Sequence, residues 1–394
     1  MEQMRFEQGD LQQEAPKRIK KRQLPRRRLR ALAVVAAAVL AVVAAFVLLD
    51  RTAFDGLRRS IAYMQAEKDE SGCARLFQYS SDGSSRYADL NGSLLVASAN
   101  EITLLDDKGN AVYHTALQFS QVDLSAADGQ AAVYEIGGRT LYLLNSRGLV
   151  QQMDLEGDIF AVQMGQGGRF AVTLKKTGYK TTVSVYNGKG EPLYDFNSAQ
   201  SYLLTAAVSE NGKYMAAAAM SQDNGSFVSS LQIYKLTSET MAAEGTLEGG
   251  VYEMGTVGGR FCAATDKALY FVKADGTVTS YDYQGASLSR CGLGADKFAA
   301  VLLENYASGG QTHLAIVNAA GEEISSMAVD SEVLDISAAG RYLAVLYSNK
   351  LVIYDQKLRE CAVLEDVSSA RQVLMRSDGS AVLAGTNAAS LYLP

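Results

Sequence analysis

The chain has no tryptophan, and only two histidines, four prolines and four cysteines among 394 residues. Each scarcity excludes something. His114 and His313 stand 199 positions apart, in no His-Glu-x-x-His or metal-triad spacing, so zinc hydrolase chemistry has no footing. No Gly-x-Ser-x-Gly elbow exists to present a serine nucleophile. Cys73, Cys262, Cys291 and Cys361 form no Cys-x-x-Cys and no zinc pattern. They read as buried free thiols, with one or two disulfides as the alternative in an oxidising compartment. GQGG at 165–168 precedes a strand-like run, whereas a phosphate loop needs a helix N-terminus. DDKGN (106–110) and KADG (273–276) lack the alternating Asp and closing Glu of a calcium loop and read as hairpin turns. The carboxylates Asp154, Glu156 and Asp158 fall in a connecting segment. No catalytic, metal-binding or cofactor-binding residue emerges, and the expectation is a protein that is not an enzyme.

Charge is unevenly placed. Residues 1–30 carry ten Lys/Arg and four Asp/Glu, a net of +6, which leaves −12 on the rest of a chain whose total is −6. Residues 31–49, ALAVVAAAVLAVVAAFVLL, contain no charge. As a helix they would span roughly 28 Å, about the hydrocarbon thickness of a bilayer. Nine Lys/Arg lie between Lys17 and Arg30, just upstream. Positive charge is retained in the cytoplasm, so the tail is expected inside and the remainder outside, in a single-pass protein of the cell membrane. No small-x-small cleavage site follows, which favours an uncleaved anchor over a signal peptide. Residues 50–72 read as a partly helical connector. An acidic ectodomain without a basic, aromatic-rich face excludes nucleic acid as a partner.

What is abundant is glycine (35) and tyrosine (21). Frequent glycine without frequent proline suits many tight hairpins. A turn followed by a short apolar strand recurs eight times: NGSLLVA (91–97), DGQAAV (128–133), GGRFAV (167–172), NGKYMA (211–216), GGRFCA (258–263), ADKFAA (295–300), AGRYLAV (339–345) and DGSAVLA (378–384). Successive copies are 37, 39, 44, 47, 37, 44 and 39 residues apart. A second strand pattern follows each one, as in LYLLNSRG (141–148) and LVIYDQKL (351–358). The second period reads as four strands: QVDLSA, QAAVYEI, TLYLLN and LVQQMDL. A four-stranded unit every 40 residues or so is the pattern of a β-propeller blade, which buries both faces only within a closed ring. The last copy stops after its third strand. The segment 73–80 (CARLFQYS) has no blade of its own and is expected to supply the missing outer strand. The fold class is therefore all-β: an eight-bladed propeller over 73–394, with seven blades as the alternative, preceded by one transmembrane helix.

With the anchor, the strand–turn repeat exemplified by LVIYDQKL and the absence of catalytic motifs, the chain resembles an uncharacterised family of Gram-positive single-span proteins, domain of unknown function 5711. The resemblance covers essentially everything beyond the basic tail. It implies a propeller but no active-site residues. The repeats are also distantly similar to quinone-cofactor and WD-repeat propellers, although the Trp-containing motifs of both are missing here.

Tyr142, Tyr186, Tyr234, Tyr270 and Tyr354 fall in third strands and are expected to pack between blades. The extra length of the third, fourth and sixth copies falls between second and third strands: LKKTGYKT (174–181), MSQDNGSFVSS (220–230) and ENYASGGQ (304–311). In a propeller these loops emerge on one face, and elaborated loops on a rigid scaffold tend to carry recognition. Tyr179, Lys180, Asn224, Phe227, Asn305 and Tyr306 are the candidate contacts on that face. The expected role is a non-enzymatic binding or scaffold module for a protein, peptide or cell-envelope ligand. One alternative is a ligand sensor coupled to a membrane partner. The other is an enzyme working from the central channel, against which the first strands VDLSA, AVQMG, VYEMG and VLDIS read as apolar or small.

Overall fold

The computed structural model of the chain describes residues 56, 59, 63, 68–70, 72–223, 225–238, 240–305 and 310–394. The basic tail 1–30, the apolar segment 31–49 and most of the connector 50–72 lie outside the described residues. Among the described residues no helix is long and apolar enough to cross a membrane.

Strand β1 (Cys73–Gln78) is followed by antiparallel four-stranded sheets in strict chain order. Blade 1 comprises β2 (Arg86–Leu90), β3 (Ser93–Ala97), β4 (Glu101–Leu105) and β5 (Ala111–Ala116). Blade 2 comprises β6 (Val122–Ala127), β7 (Gln130–Glu135), β8 (Thr140–Asn145) and β9 (Gly148–Asp154). Blade 3 comprises β10 (Asp158–Met164), β11 (Phe170–Lys175), β12 (Thr181–Tyr186) and β13 (Pro192–Ser198). Blade 4 comprises β14 (Tyr202–Val208), β15 (Tyr214–Asp223), β16 (Ser226–Lys235) and β17 (Met241–Glu248). Blade 5 comprises β18 (Val251–Val257), β19 (Arg260–Thr265), β20 (Ala268–Val272) and β21 (Val278–Asp282). Blade 6 comprises β22 (Ser287–Gly292), β23 (Phe298–Asn305), β24 (Gln311–Asn318) and β25 (Glu323–Val329). Blade 7 comprises β26 (Val333–Ala339), β27 (Tyr342–Tyr347), β28 (Lys350–Asp355) and β29 (Glu360–Glu365). Blade 8 has β30 (Ala370–Met375), β31 (Ala381–Gly385) and β32 (Ala388–Tyr392), and takes β1 as its outer strand. Cys73 stands opposite Tyr392 and Phe77 opposite Ala389. The protein is thus an eight-bladed β-propeller closed by its own first strand.

Local sequence explains the hairpins. Asn91–Gly92 joins β2 to β3 with φ of 53° and 103°, and Asp128–Gly129 joins β6 to β7 with 54° and 73°. Two successive positive φ values make the tight turn that matches strand twist, and Asn-Gly or Asp-Gly tolerates them. Along each second strand, side chains alternate between the two flanking blades. Leu94 and Val96 of β3 join a cluster with Val382 and Leu391 of blade 8. Leu95 and Ala97 join one with Val133 and Leu144 of blade 2. Every blade-to-blade interface holds one such apolar cluster. The hydrophobic core is therefore a ring of eight seams, and none is complete without both neighbours.

One sequence expectation is corrected here. The extra length at 220–230 is mostly strand: β15 and β16 run ten residues each, and Asp223 pairs with Ser226 across a two-residue turn. Gly225, at φ 85°, supplies the conformation that lets the hairpin continue where a loop was expected. Likewise β23 and β24 absorb part of 304–311, with Asn305 opposite Gln311. Blade 3 keeps an irregular connection there, at 176–180.

Candidate functional site

Antiparallel order sorts the connections by face. In each blade the turn after the first strand and the turn after the third exit on one face. The connection after the second strand and the crossover to the next blade exit on the other, the long-connection face. The connector meets the first of these faces at blade 8. Arg59 Nη1 donates to Asp378 O (3.1 Å) and Lys68 Nζ to Leu393 O (3.1 Å).

The exposed large apolar side chains divide cleanly. Leu76, Val112, Leu149, Leu193, Met241, Ile324 and Val363 are aliphatic and sit on outer strands. Among the described residues, the exposed aromatics are Phe160 (40%), Tyr179 (43%), Tyr202 (59%) and Tyr252 (69%). All four lie at the long-connection face of blades 3, 4 and 5. Of the residues expected there, Tyr179 and Lys180 occupy the blade 3 connection. Lys180 Nζ donates to Gln200 O (2.7 Å) and lies 5.1 Å from the centroid of the Tyr202 ring, a cation–π contact between neighbouring blades. Asn305 closes its hairpin, accepting from Gly310 N (3.1 Å). Phe227 stands on β16 opposite Gln222, and its side chain is outside what is described. Asn224 and Tyr306 lie outside the described residues.

Sequence reading missed Phe160, Tyr202 and Tyr252. Phe160 and Tyr252 are bulge residues: the register skips from Ile159 to Ala161 and from Val251 to Glu253. The first strands of blades 3 to 8 all carry a bulge near this face. A bulge interrupts the two-residue alternation and re-aims a side chain, so strand periodicity alone places these residues wrongly.

A second feature was also missed. The first strand of each blade borders the central channel, and equivalent register positions on these strands hold Arg86, Asp123, Ala161, Thr205, Glu253, Arg290, Asp335 and Gln372. The expectation that the inner strands are apolar or small is thus corrected. VDLSA, VYEMG and VLDIS each contribute one carboxylate to this ring, and the composition of each stretch as a whole concealed it. Most charged members have partners. Arg86 pairs with Asp123 (3.5 Å), which accepts from Tyr134 OH (2.8 Å). Arg290 donates twice to Leu334 O (3.1 and 2.9 Å), and Asp335 accepts from Val373 N (3.0 Å). One step deeper, Ser125 and Ser337 accept from Met164 N and Met375 N (2.9 and 3.0 Å). Each bond runs from one inner strand to the next and satisfies an edge that has no further strand to pair with. Burial raises the Asp335 carboxyl, partly offset by its bond to Val373 N. Burial pushes Glu253 up to about 7, with no hydrogen bond or ion pair to counter it.

The tyrosines of the third strands do pack between blades. Tyr234, Tyr270 and Tyr354 are buried, Phe170 stacks on Tyr186 at 5.2 Å, and Tyr142 lies 6.2 Å from Phe119. All four cysteines are free thiols. Among the described residues no group of three or more His, Cys, Asp or Glu is placed to hold a metal ion. A cavity of about 140 Å³ lies between blades 7 and 8, bordered by Cys73, Leu364 and Leu383.

Residues 73–362 match a family of unknown function, DUF5711. No curated protein sequence matches the chain. Among solved structures, it is similar to the C-terminal WD40 domain of Sif2, at 12% identity and a TM-score of 0.53, over 81% of this chain and 97% of that one. It is similar to BamB from Moraxella catarrhalis at 14% identity and a TM-score of 0.50, over 81% and 97%. It is also similar to Sqt1 of Saccharomyces cerevisiae at 10% identity and a TM-score of 0.53, over 81% and 96%. At such identities the likeness concerns the propeller fold alone.

Proposed function

The chain belongs to this family of unknown function, DUF5711, and for this member we propose a non-enzymatic binding or scaffold module that holds a protein partner on its long-connection face. One observation carries the reading: Phe160, Tyr179, Tyr202 and Tyr252, all exposed, gather on one face of three consecutive blades, while among the described residues the exposed large apolar groups elsewhere are aliphatic and scattered around the rim. Aromatic side chains offer large contact area at low entropic cost and are enriched at protein interfaces. The propeller supplies the rigid support such a surface needs. In this reading, residues 31–49 anchor the module in the cell membrane, with the basic tail in the cytoplasm and the propeller outside. The support for that part is the uncharged run and the nine Lys/Arg preceding it.

The test is photo-crosslinking in the native cell. Benzoylphenylalanine at Tyr202 or Tyr252 is expected to capture a discrete protein. The same group at Lys213 or Ala320, in turns of the opposite face, is expected to capture none. Equal capture from both faces, or none from either, removes the basis for the proposal.

A further inference from the structure

The aromatic patch has a symmetry of its own. Phe160 and Tyr252 are the bulge residues of β10 and β18. Each follows a residue paired near the end of the second strand, Ile159 with Leu174 and Val251 with Thr265. They hold the same place in blades 3 and 5, and so the same distance from the channel. Blade 4 packs between those two blades and presents Tyr202 at the start of its first strand. All three rings are exposed. Charge around them is divided along the same line. Lys176 is held by Glu156, and Asp266 by Lys267. Among the described residues, Lys175 and Lys180 on blade 3 have no carboxylate partner. Glu248 and Asp282, where β17 and β21 end, have no cationic one. The patch is therefore basic at its blade 3 end and acidic towards blade 5.

A surface matched across one of its own radii is complementary to itself. A two-fold axis lying in the plane of the face and running outward through blade 4 turns one copy onto another. Blade 3 of each then lies over blade 5 of the other. Phe160 meets Tyr252 twice, Tyr202 meets its own counterpart on the axis, and each lysine-bearing end meets a carboxylate-bearing one. A surface shaped for an unrelated protein has no reason to carry this symmetry. Blade 8 stands opposite blade 4 in a ring of eight, and the connector docks there through Arg59 and Lys68. The same axis thus brings both connectors to one end of the pair, as two chains anchored in one membrane need. We propose, resting on the interface reading above, that the protein held on the long-connection face is a second copy of this chain, in a face-to-face dimer about this axis.

Two differently tagged forms of the full-length protein, made together in the native cell, test it. With benzoylphenylalanine at Tyr202 of one form, irradiation is expected to give a product of twice the chain's mass that carries both tags. In a Cys361→Ser background, Phe160→Cys in one form and Tyr252→Cys in the other are expected to be bridged by a short bis-maleimide. Phe160→Cys in both forms is expected not to be bridged. Sedimentation equilibrium of the purified, detergent-solubilised protein gives the strength of the contact. Tyr202→Asp sets two carboxylates against each other on the axis and is expected to weaken self-association about tenfold or more. Lys213→Asp, on the opposite face, is expected to leave it unchanged. Capture of a different polypeptide at Tyr202, without the second tag, overturns the dimer and leaves the interface reading standing, whereas capture of nothing removes both. Bridging of Phe160→Cys to itself, or self-association untouched by Tyr202→Asp, also overturns the dimer, because the two chains would then be joined in another way.

Discussion

Arg376, at the turn after the first strand of blade 8, forms an ion pair with Asp89 on the first strand of blade 1, 287 positions earlier in the chain. Its Nη1 also donates to Tyr63 OH of the connector (3.1 Å). The pair is largely buried and sits at the seam where the ring closes, so it joins the last blade, the first blade and the incoming chain.

Removing one partner of such a pair strands the other charge. Arg376→Met should therefore cost about 2–4 kcal/mol, with Asp89 left uncompensated. The double variant Asp89→Leu/Arg376→Met should recover much of that loss. Urea unfolding of the four proteins of the cycle measures both effects. Additive losses would show that the two residues do not act as a pair.

Closure should also depend on β1. Phe77 is fully buried between blades 8 and 1. Phe77→Ala is expected to destabilise by about 3–5 kcal/mol, as large-to-small changes do in well-packed cores. Leu76→Ala on the same strand, exposed at the rim, should change stability by about 0.5 kcal/mol or less. Similar losses for both would mean that β1 is not anchored by its inward side chain.

The exposed aromatics should be dispensable for folding. Tyr202→Ala and Tyr252→Ala are each expected to shift unfolding by about 0.5 kcal/mol or less. Tyr354→Ala, which removes a buried ring whose hydroxyl lies 3.3 Å from that of Tyr347, should cost several times more. Thermal melts of the three variants give the comparison.

Stability should fall as pH rises through the Glu253 transition. The folded carboxyl is pushed up to about 7, above the value near 4.3 expected for the unfolded chain. The native state therefore holds this proton more tightly. The resulting stabilisation is full below about pH 4, declines as pH rises to about 7, and is gone above it. Asp335, also raised by burial, adds a trend of the same sign. Glu253→Gln removes the larger part, so its melting temperature should drop less than that of wild type between pH 5 and 8. Parallel curves would show that Glu253 does not titrate in this range.

Cys361 is exposed on β29, while Cys262 is buried and Cys73 and Cys291 are partly covered. On the proposed topology, a membrane-impermeant maleimide applied to intact cells at pH 8 should modify the wild-type protein. Cys361→Ser should remove most of that labelling. Labelling only after the cells are lysed would place the propeller on the other side of the membrane.

The sequence by itself determined the propeller class and the phase of its strands, and it favoured eight blades, closed by the first strand, over seven. Those properties follow from local rules: Asn-Gly and Asp-Gly turns allow positive φ, strand side chains alternate, and the eighth repeat reads as three strands, one fewer than the other sheets. Tertiary structure alone decided which residues meet at the channel and on the long-connection face. Asp123, Glu253, Arg290 and Asp335 are ordinary strand residues until eight blades bring their positions into one ring. Phe160 and Tyr252 surface because bulges break the alternation from which an inward position would be inferred. The extra length of blade 4 became strand because Gly225 allows a two-residue turn and pairing satisfies the backbone that a loop would leave to water. Composition and spacing record what each residue is; partnership depends on neighbours supplied by distant parts of the chain.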